Sequence, residues 1–136
     1  MKYKDELIKA MDWLAEKDNT IFLGQATLFS GHSMSTTLSN IDKNKLVELP
    51  VMEEVQMGMA TGLSLEGYVP ITIYPRFNFM ILGINQLVNH IDKMESMSQG
   101  LLMPKVIIRV AIGAKKPLDG GLQHTQDFTK GLKSMV

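Results

Sequence analysis

Leu49-Pro50-Val51-Met52-Glu53-Glu54-Val55-Gln56-Met57-Gly58-Met59-Ala60-Thr61-Gly62 is the stretch whose reading decides the fold. The run that leads into it, Lys45–Leu49, is short and mostly apolar and is stopped by Pro50, as a buried strand would be. Glu53 then stands three residues after the proline, at the start of a helical pattern that continues to Leu65. A carboxylate in that place meets free backbone N–H groups and the positive end of the helix dipole, and so reads first as an ordinary helix-start acid. Gly58 and Gly62 lie four residues apart inside the same helix. Glycine costs about 1 kcal/mol in a helix interior, so the pair predicts that another segment packs closely on that face.

Working outward, strands alternate with helices. Leu7, Met11 and Leu14 share one helical face, with Ile8 and Ala15 beside them, and Asp18-Asn19 closes that helix. Thr20-Ile21-Phe22-Leu23 reads as a buried strand ended by Gly24, and residues 25–40 as a long Ser/Thr/Gly-rich loop of the kind that carries function. Val69–Tyr74 is the next strand, followed by a long helix from Phe77 to Met97 with a kink at Gly83. Lys105–Val110 is the clearest strand, opened by Pro104, and a glycine-bearing loop at 113–123 leads to a last short helix from Thr125. Short apolar strands between helices specify an α/β domain with a mainly parallel sheet and helices on both faces. Ligands in such sheets sit at the carboxyl ends of strands, which gathers the loops 24–40, 50–53, 74–79 and 111–124 at one edge.

Composition narrows the function. The 136 residues suit a single domain spanning 1–136, 45% hydrophobic and 21% charged. Basic and acidic residues number 14 each, which gives no net basic surface for nucleic acid. Without cysteine there is no disulfide framework, thiolate metal site or cysteine nucleophile. No apolar run approaches the roughly 20 residues that span a bilayer. The N-terminus lacks a signal-peptide core, so the expected location is cytoplasmic. His32, His90 and His124 lack metal-ligand spacing, so no metal site is expected on this chain. Among the 11 methionines, Met52, Met57, Met59, Met94 and Met97 read either as core or as a subunit contact.

The segment around Glu53 resembles the pattern Pro-(Ile/Val)-(Ser/Ala)-Glu-x4-Gly-x-(Ala/Gly)-x-Gly of the pyrimidine-binding domain in thiamine-diphosphate enzymes, with Met52 departing from it. The β subunits of 2-oxoacid dehydrogenases and the middle domain of transketolase are the nearest in pattern. Further matches follow in order. Gly67-Tyr68-Val69-Pro70 is similar to the Gly-x-x-Pro before the next strand, and Phe79 to an aromatic residue after it. Asn85-Gln86-Leu87-Val88-Asn89 is similar to Asp-Gln-Ile-x-Asn of the β subunits. Pro104–Arg109 resembles their proline-led, arginine-ended strand, and Gly121–Gln126 their Gly-x-Gln-His-Ser-Gln. Gln25 stands where β subunits carry glutamate, and Arg76 where relatives often carry an aromatic residue. The resemblance covers residues 20–136.

The resemblance implies a transketolase-like pyrimidine-binding domain that activates thiamine diphosphate for 2-oxoacid decarboxylation or ketol transfer. The cofactor reacts when its thiazolium carbon loses a proton to the aminopyrimidine, and a carboxylate on the far ring nitrogen drives that tautomer. Glu53 matches that carboxylate, which is usually sheltered from water; Glu54 is its only rival. Phe79, with Tyr74 or Phe77, would pack on the pyrimidine. His124 matches a histidine over the thiazolium that assists substrate proton transfer. Arg76 could bind an anionic substrate group or a surface acid. Mg²⁺ and the diphosphate would be held by an α-type partner chain, since the Gly-Asp-Gly…Asn motif is missing. The expected assembly is a hetero-oligomer with self-association, inactive as a lone chain, and C-terminally truncated relative to the pyrimidine domain. The other class in play is a non-catalytic binding or assembly module of the same fold, dimerising through the Gly58/Gly62 helix.

Overall fold

The computed structural model describes residues 2–136. Its elements run α1 (Tyr3–Ala15), β1 (Thr20–Gly24), β2 (Leu46–Glu48), α2 (Glu53–Leu65), β3 (Val69–Tyr74), α3 (Phe77–Met80), α4 (Asp92–Met97), β4 (Ile107–Val110) and α5 (Thr129–Leu132). The four strands form one sheet in the order β2-β1-β3-β4, parallel throughout. Phe22 pairs with Leu46 on one side and with Ile71 on the other, and Ile71 pairs with Ile107. The α/β class with a parallel sheet, expected from the strand pattern, is the architecture observed.

Alternation along the strands sends side chains to two separate cores. Phe22, Ile71 and Ile73 join Met11 of α1 and Met34, Leu38 and Ile41 of the long loop on one face. Tyr74 meets Met57 of α2 with Phe77 and Met80 on the other, and Ile108, Val110, Phe128 and Leu132 pack against them. Both faces are therefore covered, which is why the central strands read as near-continuous apolar runs. Helix α1 closes tightly at its carboxyl end. The Thr20 hydroxyl lies 2.8 Å from the Leu14 and Lys17 carbonyls, and Lys45 Nζ donates to Ala15 at 2.8 Å. A cation there complements the helix dipole, and Lys45 thus caps a helix instead of opening β2.

Two expectations shift. The helix expected over 77–97 is broken into α3, a 3-10 turn at Ile81–Gly83, a π-helix at Gln86–Ile91 and α4. The break includes Gly83, the position read as a kink, where an added Cβ would stand 3.3 Å from the Glu53 carbonyl oxygen and 3.5 Å from Met57 Cβ. The last helix starts at Thr129, not Thr125. Close packing also falls elsewhere than foreseen. Nothing lies within 4 Å of a Cβ built at Gly58 or Gly62, whose face of α2 is exposed together with Val55 and Met59. The close approach is at Gly24, φ +147°, where a Cβ would meet the Ile73 carbonyl oxygen at 2.1 Å and Gln56 Nε2 at 2.9 Å.

These contrasts give substitutions of opposite sign. Gly24→Ala should destabilise the fold by on the order of 3 kcal/mol, through a clash with fixed backbone and a strained φ. Gly58→Ala and Gly62→Ala should each stabilise the isolated chain by up to about 1 kcal/mol, because they add helix propensity in open space. Denaturant midpoints of the three variants check this; a Gly24→Ala chain as stable as the parent would refute the close approach.

Candidate functional site

The carboxyl ends of the strands are knitted together by backbone bonds between successive loops. Leu49 N–H donates to Gly24, Gln25 N–H to Ile73, Phe77 N–H to Ala111 and Gly113 N–H to His124. A cleft of about 490 Å³ opens over this edge, lined among others by Gln25, His32, Glu48, Arg76, Phe79 and His124. A volume of that size suits a small-molecule site.

Glu53 opens α2 and is only 4% exposed. Gln25 Nε2 donates to its Oε1 at 3.2 Å, so the sequence-predicted acid is joined to the cleft through a lining residue. Among the described residues no donor reaches Oε2, and that oxygen is not one of the fully buried unpartnered atoms. Glu54 is exposed and accepts a bond from Gln86 Nε2 at 3.2 Å, out on the surface. The helix carrying Glu53 is fixed from below by Gln56, whose Nε2 donates to Thr72 Oγ1 at 2.8 Å and to the Ile73 carbonyl at 2.9 Å.

The aromatic residues separate. Phe79 lines the cleft and stands edge-on to His124, with ring centroids 5.5 Å apart and planes at 82°. Tyr74 and Phe77 lie in the core and are not among the cleft-lining residues. Phe77 packs edge-on against Phe128 at 5.5 Å. Tyr74 is fully buried and its hydroxyl donates to the Glu53 backbone carbonyl at 3.3 Å. Burial pushes its phenol up to about 12; the Thr72 side chain opposes the rise and the Glu53 charge adds to it. Tyr74 therefore holds the start of α2 without presenting its ring to the cleft.

Arg76 and His124 both line the cleft and have unspent hydrogen-bonding capacity. Arg76 Nη1 donates to Pro75 at 2.6 Å, while its buried Nε and the buried His124 Nδ1 have no partner. The only ion pairs among the described residues are Lys9–Glu6 and Lys93–Asp92, so Arg76 has no acidic counterpart. His32 joins the same wall. Burial first, and then the Arg76 charge, hold its imidazole below the ordinary value of 6.5, against a smaller opposing pull from Glu48.

Three participants carried no role in the sequence reading. Glu48 looked like a strand residue, Gln25 a departure from pattern and His32 a loop residue. Glu48 accepts from Ala26 N at 2.8 Å, Thr27 N at 2.7 Å, Thr27 Oγ1 at 2.7 Å and Leu28 N at 2.8 Å. Its available signal was an acid near the end of an otherwise apolar strand, facing a loop rich in small polar residues. The reading of the five methionines divides too. Met57 is core, while Met52, Met59 and Met97 are exposed.

Among the described residues no group of three His, Cys, Asp or Glu could hold a metal, and no helix is long and apolar enough to cross a membrane. No family model matches the chain. Curated relatives do. The chain is 30% identical to the mitochondrial pyruvate dehydrogenase E1 component subunit beta of Saccharomyces cerevisiae, over 100% of this chain and 39% of the relative. It is 28% identical to the human mitochondrial subunit over 92% of this chain and 35% of that protein. With the subunit of Gracilaria tenuistipitata var. liui the identity is 29%, over 90% of this chain and 38% of the relative. Along its full length the chain is thus similar to the β subunit of the pyruvate dehydrogenase E1 component, and it spans between 35% and 39% of the length of these relatives.

Proposed function

We propose that this chain is a transketolase-like pyrimidine-binding domain, residues 1–136, forming the pyrimidine half of a thiamine-diphosphate site with Glu53 as the activating carboxylate. The observation that carries the reading is a buried glutamate at a helix start, with one oxygen bonded by Gln25 and the other left without a protein partner, next to a cleft. The residues fit an aminopyrimidine. A sheltered acceptor adjoins walls supplied by Leu49, Pro50, Val51 and Phe79, and His124 offers an orphaned Nδ1. When bound, thiamine diphosphate supplies a carbon nucleophile able to hold the electron pair released by 2-oxoacid decarboxylation. Glu53 would hold a proton at the far pyrimidine nitrogen, through the oxygen that Gln25 leaves free. Phe79 would pack on the ring, while Tyr74 and Phe77 act from the core behind it. Arg76 would take the substrate's anionic group, with His124 beside it to exchange a proton. The 2-oxoacid type is favoured over ketol transfer by the Asn85–Asn89 and Gln123–Gln126 segments and by the names of the relatives.

The same names contain "subunit beta", which supports a hetero-oligomer; its α-type chain would supply Mg²⁺ and the diphosphate-binding half, and the cytoplasmic location expected for this chain has no support in those names, which read "mitochondrial". Exposed Met97, Leu101, Leu118 and Leu122, each at least 80% accessible, also suit a chain that works against partners. The open Gly58/Gly62 face of α2 adds a surface for self-association. It equally favours the second reading, an assembly module of this fold without catalysis.

Two measurements test the proposal. With the co-purified partner, thiamine diphosphate and Mg²⁺, Glu53→Gln should slow exchange of the cofactor's thiazolium C2 proton by at least about 100-fold. Cofactor affinity should change by less than about threefold. Unchanged proton exchange would remove Glu53 from the role and favour the assembly module. The second measurement is a titration of His32 by NMR. Its midpoint should lie below 6.5 and rise in Arg76→Ala, though not fully, because burial is the larger cause. Pyruvate bound at Arg76 should also raise it by offsetting the guanidinium charge, and the absence of any such response would exclude Arg76 as the anion site. Since the folded value is the lower one, the stability contributed by neutral His32 is present above about pH 6.5 and is lost as pH falls through the folded value.

A further inference from the structure

We infer that Glu48 is a positioning residue for the activating carboxylate: it fills a concavity of backbone N–H groups at residues 26–28 and thereby fixes Gln25 on Glu53. The inference rests on the proposed role of Glu53 and adds to it a part of the chain that the sequence left as plain strand.

The geometry is that of an anion nest, in which successive N–H groups converge on one point. Ala26 supplies the left-handed residue such a turn needs, at φ +58°. For an alanine that conformation costs roughly 1–2 kcal/mol, so it persists only where the surroundings over-determine it. Glu48 provides that constraint. Three consecutive N–H groups and the Thr27 hydroxyl converge on its two oxygens at 2.7–2.8 Å. These are charge-assisted bonds, roughly twice as strong as neutral ones.

Glu48 directs its hydrogen bonds there: it forms no ion pair with His32, Arg76 or His124, the cationic or titratable groups that line the same cleft, and exerts only the smallest of the pulls on His32. Burial opposes its ionised form, but the bonds from Leu28, Thr27 and Ala26 outweigh it and hold the carboxyl below the usual carboxylate value. The loop so fixed begins one residue after Gln25. Gln25 has its own N–H on Ile73 at 3.3 Å and its side chain on Glu53 at 3.2 Å. Freeing residues 26–28 from Glu48 would release the backbone on one side of Gln25 and leave its N–H bond to Ile73 as the remaining backbone tether. Glu48 sits at the end of β2 and Glu53 at the start of α2, so the two acids hold opposite sides of one short chain reversal. Glu48 therefore acts through Gln25, without itself touching the cofactor.

The test has a structural arm and a functional arm. In the chain itself, Glu48→Gln should speed amide exchange at Ala26, Thr27 and Leu28 by at least about tenfold, with α2 amides from Met57 onward unchanged. In the complex with its partner chain, thiamine diphosphate and Mg²⁺, Glu48→Gln should slow exchange of the C2 proton by about tenfold while cofactor affinity stays within about twofold. Gln25→Ala should give the same loss, and the double variant should be no slower than Gln25→Ala alone. Glu48→Asp, which keeps the charge, should recover part of the rate and serves if Glu48→Gln does not fold. Retained protection at 26–28 in Glu48→Gln, or additive losses in the double variant, would overturn the inference. If Glu53→Gln leaves C2 exchange intact, the reading of Glu53 fails instead, and the amide-exchange arm still judges the nest.

Discussion

The approach of β1 to β3 at their carboxyl ends is the constraint on which this fold depends. Gly24 lies so near the Ile73 carbonyl that no side chain fits between them. Into the same space Gln56 sends its amide from α2, satisfying both that carbonyl and the Thr72 hydroxyl. Sheet and helix are thus locked by polar bonds inside an otherwise apolar layer, where leaving such groups unpaired costs more than the bonds themselves contribute. Everything that follows Gly24 inherits the lock. Gln25 leaves the strand with its own N–H already committed to Ile73, and so its side chain is aimed before the cleft is formed.

That order explains why a buried carboxylate can persist at the head of α2. Glu53 sits over a helix start held by Tyr74 from one core and by Gly83 from the crossing segment. Among the described residues the Gln25 amide is its one side-chain donor, so the carboxyl group is met by a dipole and not by a counterion. Arg76 presents the converse case. It has a full charge, a buried Nε without a partner and no acid in reach. Structural arginines that are half buried normally end on a carboxylate or a row of carbonyls. One that ends on a single carbonyl at the wall of an open cleft retains unspent binding capacity.

Much of the architecture was legible in the sequence because the strands are short and apolar and the breaks fall on Gly and Pro. Glu53–Leu65 and Val69–Tyr74 could be bounded to the residue, since Pro50 and Gly67 punctuate them. The helix over 77–97 was read with its kink at Gly83, but the 3-10 turn there and the π-helix at Gln86–Ile91 were not foreseen, since a helical apolar pattern does not distinguish these windings. Gly58 and Gly62 misled as well. A glycine signals either a close neighbour or a surface left open, and sequence spacing does not distinguish them. At the site, residues with one strong local meaning, such as Glu53 at a helix start, were found. Glu48, Gln25 and His32 were not, because their meaning is relational: each matters for the backbone or side chain it meets from 20 to 44 residues away.

The sheet's two edges differ. β2 is an edge of only three residues, and its last, Glu48, is bound into the loop beside it, so little backbone is left to pair. β4 is the opposite edge, and all four of its residues are only half buried although they lie beside the central β3. Its Ile107 and Ile108 point to different cores, and Arg109 reaches back to Thr37 at 2.6 Å with Nη1 unpartnered. β2 is half buried along its length as well, as befits two strands with one side unpaired. The cleft lies at the carboxyl end of the central strands, away from that open edge, and is already knitted by bonds within the chain. Contacts made along β4 would therefore leave Glu53 and its supports as they are.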